Sequence, residues 1–197
     1  MNRSFLCLLS LFFLFALNGF SQVNKQAVQE LIKRITMERS GYFLVEEIKK
    51  QNGKDVFELE SKKGKIILRG SNGLSVASAL NYYLKNYCHC LITWNGINMN
   101  LPETLPVIKE KIHKSTPYQY RYYLNYCTFN YSMSWWNWER WQKEIDWMAL
   151  NGINMPLAIT GEEAIWQQVY KKLGFTDEEL GKFFCGPAYF SWFGWVI

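Results

Sequence analysis

Arg121-Tyr-Tyr-Leu-Asn-Tyr-Cys-Thr128, continuing through Trp135-Trp136-Asn137-Trp138 to Gly161-Glu-Glu-Ala-Ile-Trp-Gln-Gln-Val-Tyr170, decides the fold. Tyr120 to Thr128 has the composition of a strand. Asn137 to Asn151 has helical periodicity. Trp138, Trp141, Ile145 and Met148 recur at spacings of three and four as the apolar stripe, and Glu139–Lys143 and Arg140–Glu144 pair on the other side. Asn151-Gly152 supplies a left-handed stop. Ile153 to Ile159 is a second, mostly apolar strand. Thr160-Gly161-Glu162-Glu163 opens another helix, with Thr160 and Glu163 spaced as a capping box, and Thr176 to Phe184 starts one more with Glu179 in the same register. Strand, helix, strand, helix with short links calls for parallel strands and right-handed crossovers, which is how a (β/α)8 barrel begins. A closed barrel takes about 250 residues. Tyr118 to Ile197 supplies 80, room for two units. A two-stranded parallel sheet with one bare face is not expected to be stable alone.

Upstream, the expected fold class is also α/β. Residues 22–113 read as a small N-terminal domain, and residues 114–197 as the incomplete start of a TIM barrel. Val28, Leu31, Ile32 and Ile35 share one face of a helix over Gln26 to Met37. Tyr42–Ile48, Val56–Glu60 and Lys65–Arg69 are strand candidates parted by Gln51-Asn52-Gly53-Lys54 and Ser61–Gly64 turns, a pattern that suggests a meander. Ser75 to Tyr87 is a second helix. Leu101 to Pro117, rich in charge and broken by prolines, reads as the passage between domains.

Residues 1–21 have the form of a signal peptide: a positive start at Arg3, an apolar run from Phe5 to Ala16, and small residues before Gln22. That run is too short to anchor in a bilayer of about 30 Å, so soluble export is expected, with no membrane anchor once the leader is removed. The net charge is +5 and the basic residues intermix with acidic ones, which argues against a nucleic-acid stripe. Of five cysteines, Cys88, Cys90, Cys127 and Cys185 follow the leader, and four thiols allow three pairings. Cys88-His89-Cys90 lacks the second pair that a zinc frame needs, so apolar filling at a helix end is favoured over a metal or redox role. Asn130-Tyr131-Ser132 is a glycosylation sequon, relevant in a eukaryote.

Asn125 and Cys127 fall at the expected C-terminal end of the first barrel strand, the functional edge of such folds. Strand alternation would point both inward, where an amide and a thiol can hydrogen-bond sugar hydroxyls; plain core packing is the competing reading. Nine tryptophans suit carbohydrate, because their flat faces stack on sugar C–H groups. Trp138 and Trp141 belong to the apolar stripe. Trp135, Trp136 and Trp192 lie in loops and are the better ligand candidates. Glycoside hydrolysis needs two carboxyl groups from different strand ends. Glu162 and Glu163 are adjacent on one helix start, and Asp146 is expected on the barrel's outer layer. No catalytic pair is assigned within this chain, and no phosphate loop, zinc helix or nucleophile elbow is present.

These words together resemble the α-N-acetylglucosaminidases, a glycoside hydrolase family. The likeness is carried by Arg121–Thr128, Trp135–Trp138, Glu144–Asn154, Gly161–Gln167 and Phe183–Ala188, and more weakly by Leu68-Arg69-Gly70 and Ala77–Tyr83. The resemblance implies a small α/β domain, a (β/α)8 barrel and an α-helical domain, and retaining removal of terminal α-linked N-acetylglucosamine from glycans. It implies that Asn125, Cys127 and Trp192 contact that sugar. It also implies that the two catalytic glutamates belong to later strands, so that this chain alone is inactive. No cofactor or metal is implied. The partner is an N-acetylglucosamine-terminated glycan, and the location is periplasmic or extracellular in a bacterium, lysosomal or secreted in a eukaryote. Phe193–Ile197 departs from the family's continuation, which leads us to expect a truncated product. A noncatalytic carbohydrate-binding protein is the alternative.

Overall fold

The computed structural model describes residues 23–184. The leader, Cys185, Trp192 and the divergent end lie outside the described residues. Helix α1 (Lys25–Thr36) starts where the Asn24 side chain accepts from the Ala27 amide at 3.0 Å. A 3-10 turn (Met37–Tyr42) leads into β1 (Phe43–Glu47), followed by β2 (Val56–Lys62) and β3 (Lys65–Gly70). Lys63 and Gly64 adopt φ of 51° and 73° and join β2 to β3 in a two-residue hairpin. The sheet is not the meander that the turn spacing suggests. Its order is β1-β3-β2-β6, where β6 is Ile112–Ser115, with β1 parallel to β3. Gln51 and Lys54 bridge only to each other, so the chain steps past a vacant position before β2 begins. That central position goes to β3, whose consecutive Ile66, Ile67 and Leu68 are all buried. An element apolar on both faces gains most from neighbours on both sides.

The stretch read as a passage between domains contains β6 (Ile112–Ser115), antiparallel to β2. It is a mostly exposed edge strand; lysine and histidine on such an edge discourage further pairing and also hide the alternation that would announce a strand. Helix α2 (Gly73–Asn86) is capped by Asn72 and packs with α1 over one sheet face. Ile32, Leu59, Leu68, Leu80 and Tyr83 form the fully buried centre. Gly70 is required there: a Cβ would stand 2.6 Å from the Val76 amide nitrogen. Cys88 and Cys90 are buried in the same core. Burial pushes the Cys88 thiol up to about 11 and raises Cys90, so both are inert fillers. A short pair, β4 (Leu91–Ile92) and β5 (Ile97–Asn98), forms a projecting hairpin.

In the second unit β7 (Tyr122–Tyr123) pairs in parallel with β8 (Met155–Pro156). The strand expected over Tyr120–Thr128 is cut short. Leu124 takes φ 80°, and Asn125 caps a one-turn helix, α3 (Tyr126–Thr128), that widens into a π-type turn (Phe129–Met133). The Asn125 Oδ1 accepts from the Thr128 amide at 3.1 Å and its hydroxyl at 3.0 Å. This local bond competes successfully with extended backbone. Helix α4 (Trp138–Leu150) is capped by Asn137 and closed by a Schellman turn, in which the Ile153 amide donates to Met148 O and the Gly152 amide to Ala149 O. Its buried face differs from the expected stripe. Trp138 is 69% exposed, whereas Glu144 and Asp146 are buried, because α4 packs on α2 of the first unit. Asp146 is covered by the first unit, where Arg34 pairs with it at 2.7 Å. Helix α5 (Glu162–Lys172) begins at Gly161, φ 92°, without the Thr160–Glu163 capping box; α6 (Asp177–Phe183) forms the Thr176–Glu179 box in full. Among the described residues no helix is long and apolar enough to cross a membrane.

Candidate functional site at the end of the first barrel strand

Tyr122, Tyr123, Leu124 and Asn125 end β7 on one side of an open cavity of about 510 Å³. Thr128 and Trp94 complete its lining. Trp94 comes from the other unit, on the β4–β5 hairpin, whose turn is fixed by Thr93 Oγ1 donating to Gly96 O at 2.8 Å. Asn125 is exposed. Its carbonyl oxygen serves the α3 cap, so its amide is left to donate toward a ligand.

The expected pairing of Asn125 with Cys127 does not form. Alternation on a strand would have pointed both side chains one way. Asn125 is the extended cap residue and Cys127 lies within the helical turn that follows, so strand alternation does not relate them. Cys127 is half-buried and does not line the cavity. Trp192 lies outside the described residues. Trp135 is 75% exposed. Trp136 is held instead: the Arg140 guanidinium lies 3.7 Å from its ring centroid, and Trp141 meets it edge-on at 5.2 Å.

A buried carboxylate organises the back wall. Glu144 is 1% exposed. Its Oε1 accepts from Trp94 Nε1 at 2.8 Å and the Tyr123 hydroxyl at 2.9 Å, and Arg140 donates to Oε2 at 3.1 Å. Burial, reinforced by the Glu144 hydrogen bond, pushes the Tyr123 hydroxyl up to about 12, so it stays a donor. Glu144 thus ties the N-terminal hairpin, β7 and α4 to one point. None of the residues lining this cavity is Asp or Glu. Glu163 is raised above the ordinary carboxylate range by burial and by neighbouring Glu162, but neither glutamate lines the cavity.

Sequence reasoning gave no role to Trp94 or Tyr123. Arg140–Glu144 was visible as an i, i+4 pair, but the burial of Glu144 depends on partners 21 and 50 residues away.

Residues 26–107 match the alpha-N-acetylglucosaminidase (NAGLU) N-terminal domain, and residues 121–195 match the corresponding tim-barrel domain. The chain belongs to the α-N-acetylglucosaminidase family. Human alpha-N-acetylglucosaminidase is 49% identical over 128 residues, 65% of this chain and 17% of that protein. A family 89 glycoside hydrolase from Clostridium perfringens, solved with 2-acetamido-1,2-dideoxynojirimycin, superposes with a TM-score of 0.80 at 41% identity, over 85% of this chain and 19% of that one. A form of the clostridial protein with two glutamates replaced by glutamine, solved with its substrate GlcNAc-α-1,4-galactose, gives the same values. The chain therefore spans under a fifth of these relatives' length. Within that span, the family assignment makes the β7–α4–β8 unit part of a TIM-barrel catalytic domain.

Proposed function

We propose that this chain is the front portion of an exported α-N-acetylglucosaminidase. It would furnish the N-terminal domain and the first wall of a barrel that removes terminal α-linked N-acetylglucosamine with retention. The observation that carries this reading is Asn125. It sits at the carboxyl end of the first barrel strand, in a stretch matching the family, on a cavity open to a sugar. Asn125 donates to the acetamido sugar in this proposal. Cys127 and Trp192 join it on the family resemblance alone. In this reading the chain by itself does not cleave, because the family resemblance assigns both catalytic glutamates to later strands; Glu144 is committed to Arg140, Trp94 and Tyr123, and Asp146 to Arg34. Export rests on residues 1–21, and a periplasmic reporter fusion tests it.

The activity is tested by joining this chain in frame to the remaining barrel of the clostridial relative and assaying an aryl α-N-acetylglucosaminide. The folded chimera is expected to turn over, and the 197-residue chain is not. Asn125→Ala should lower kcat/KM of the chimera by about tenfold or more, the value of one lost hydrogen bond. A chimera that melts cooperatively yet leaves the substrate intact rejects the reading, and an unchanged Asn125→Ala rejects that residue's role.

A further inference from the structure

A second and larger cavity, about 730 Å³, lies between α1, the β4–β5 hairpin and α4. That is within the range of small-molecule sites. The strand-end cavity awaits further barrel strands, but here both walls belong to the described residues. Three cations and three anions line it, and each is matched: Arg34 with Asp146 at 2.7 Å, Arg140 with Glu144 at 3.1 Å, and Lys143 with Glu139 at 2.9 Å. The six charges cancel, so the cleft offers a charged ligand no net attraction, and a neutral ligand meets no uncompensated charge. The remaining wall is largely apolar, with Trp94 and Trp147 as its flat surfaces, and Met37 and Ile97 standing 73% and 64% exposed at its sides. Asn95 and Gln142 also line it, and their side-chain amides make no hydrogen bond among the described residues. Apolar planes, a few uncommitted neutral amides and zero net charge suit a ring with one apolar and one hydroxylated aspect.

We propose that this junction cleft is a noncatalytic binding site for a neutral pyranose unit, stacked on the indole wall and hydrogen-bonded by Asn95 and Gln142. Trp94 lines both cavities, so a single indole separates this cleft from the strand-end site. The proposal does not depend on cleavage. It concerns surface that the chain already possesses.

Gly96 offers a clean test. It lines the cleft, and a Cβ built there meets nothing within 4 Å, so Gly96→Trp fills the space without a backbone clash. The probe is N,N′-diacetylchitobiose, followed by ligand-observed saturation-transfer NMR on the folded chain, with a sulfated heparin disaccharide as the charged counterpart. Transfer to chitobiose is expected from the wild type. It should fall by about tenfold in Gly96→Trp and by several-fold in Gln142→Ala, which keeps helix propensity and serves if the tryptophan variant does not fold. The heparin disaccharide should show less transfer. No transfer from folded wild type overturns the proposal, as does stronger transfer to the heparin disaccharide. Transfer that survives both variants but disappears in Asn125→Ala also overturns it, and leaves the strand-end reading standing.

Discussion

Asp55 shows how much of this molecule rests on single long-range pairs. In sequence it is one of several acidic residues mixed with lysines around turns, and nothing marks it out. In the structure it takes Arg121 Nη2 at 2.6 Å, Asn72 Nδ2 at 2.8 Å and Lys50 Nζ at 3.4 Å. Arg121 in turn bonds the Gly152 carbonyl and donates its amide to Asn154, so one carboxylate anchors both barrel strands to the first unit. Burial pushes the Asp55 carboxyl upward, but the Arg121 and Asn72 hydrogen bonds and the Lys50 charge outweigh it and hold it below its ordinary value. A depressed folded-state value gives stability that is complete above the unfolded value of about 4 and is lost as pH falls through the folded one. Asp55→Asn should therefore cost about 1.5–3 kcal/mol in urea unfolding at neutral pH. The difference from wild type should stay constant down to about pH 5 and close below about pH 4. A gap that persists undiminished in acid would mean that the lost charge is not its source. The partner lies 66 residues away, which is why no local pattern reveals the pair.

Elements were legible where their own periodicity decided them. Helices α1, α2 and α4 and the strands β1 to β3 fall within a few residues of the boundaries read from apolar spacing, because each buries a face against the sheet or α2; α6 is marked instead by its Thr176–Glu179 capping box. The illegible elements are those whose conformation is set by one side chain or one neighbour. Asn125 converts a strand into a cap, β6 is a polar edge recruited by β2, and the burial of Glu144 and Asp146 on α4 follows from the helix leaning on α2. Two glycines separate close approach from backbone conformation. Gly70→Ala forces a Cβ onto the α2 backbone at 2.6 Å and should destabilise by about 1–3 kcal/mol or more. Gly152→Ala places an L-residue at φ 70° with Ser78 Oγ only 3.0 Å away, and should cost about 1–2 kcal/mol. Gly41→Ala, with neither a positive φ nor a neighbour within 4 Å, is the control expected to leave the urea midpoint unchanged. If Gly70→Ala unfolded at the same midpoint as Gly41→Ala, the β3–α2 contact would not be the constraint described.

At the scale of the whole molecule, the division into a small α/β unit and a barrel beginning was readable from sequence, and so was the family. The joint between the units was not. A two-stranded parallel pair such as β7–β8 exposes much of its surface, with Tyr122 at 55% and Met155 at 45%, and has little to hold it on its own. It is held from behind. Arg34 grips Asp146 with two bonds of 2.7 Å, Asn81 donates to Leu150 O at 3.1 Å, and Trp94 reaches Glu144. Such a joint should make the two units unfold together. Tryptophan fluorescence, weighted toward the second unit where Trp135, Trp136, Trp138, Trp141 and Trp147 lie, and far-UV circular dichroism, which sees both, should give coincident transitions. Arg34→Ala leaves the buried Asp146 carboxylate without its partner and should cost about 1.5–3 kcal/mol. It should also move the fluorescence transition ahead of the dichroism one, because the second unit is released first. The double substitution Arg34→Met with Asp146→Leu removes both charges in exchange for apolar side chains, and should bring the two transitions back together. Separate transitions in the wild type, or an Arg34→Ala protein that still melts as one, would mean that the first unit does not hold the opening of the barrel in place.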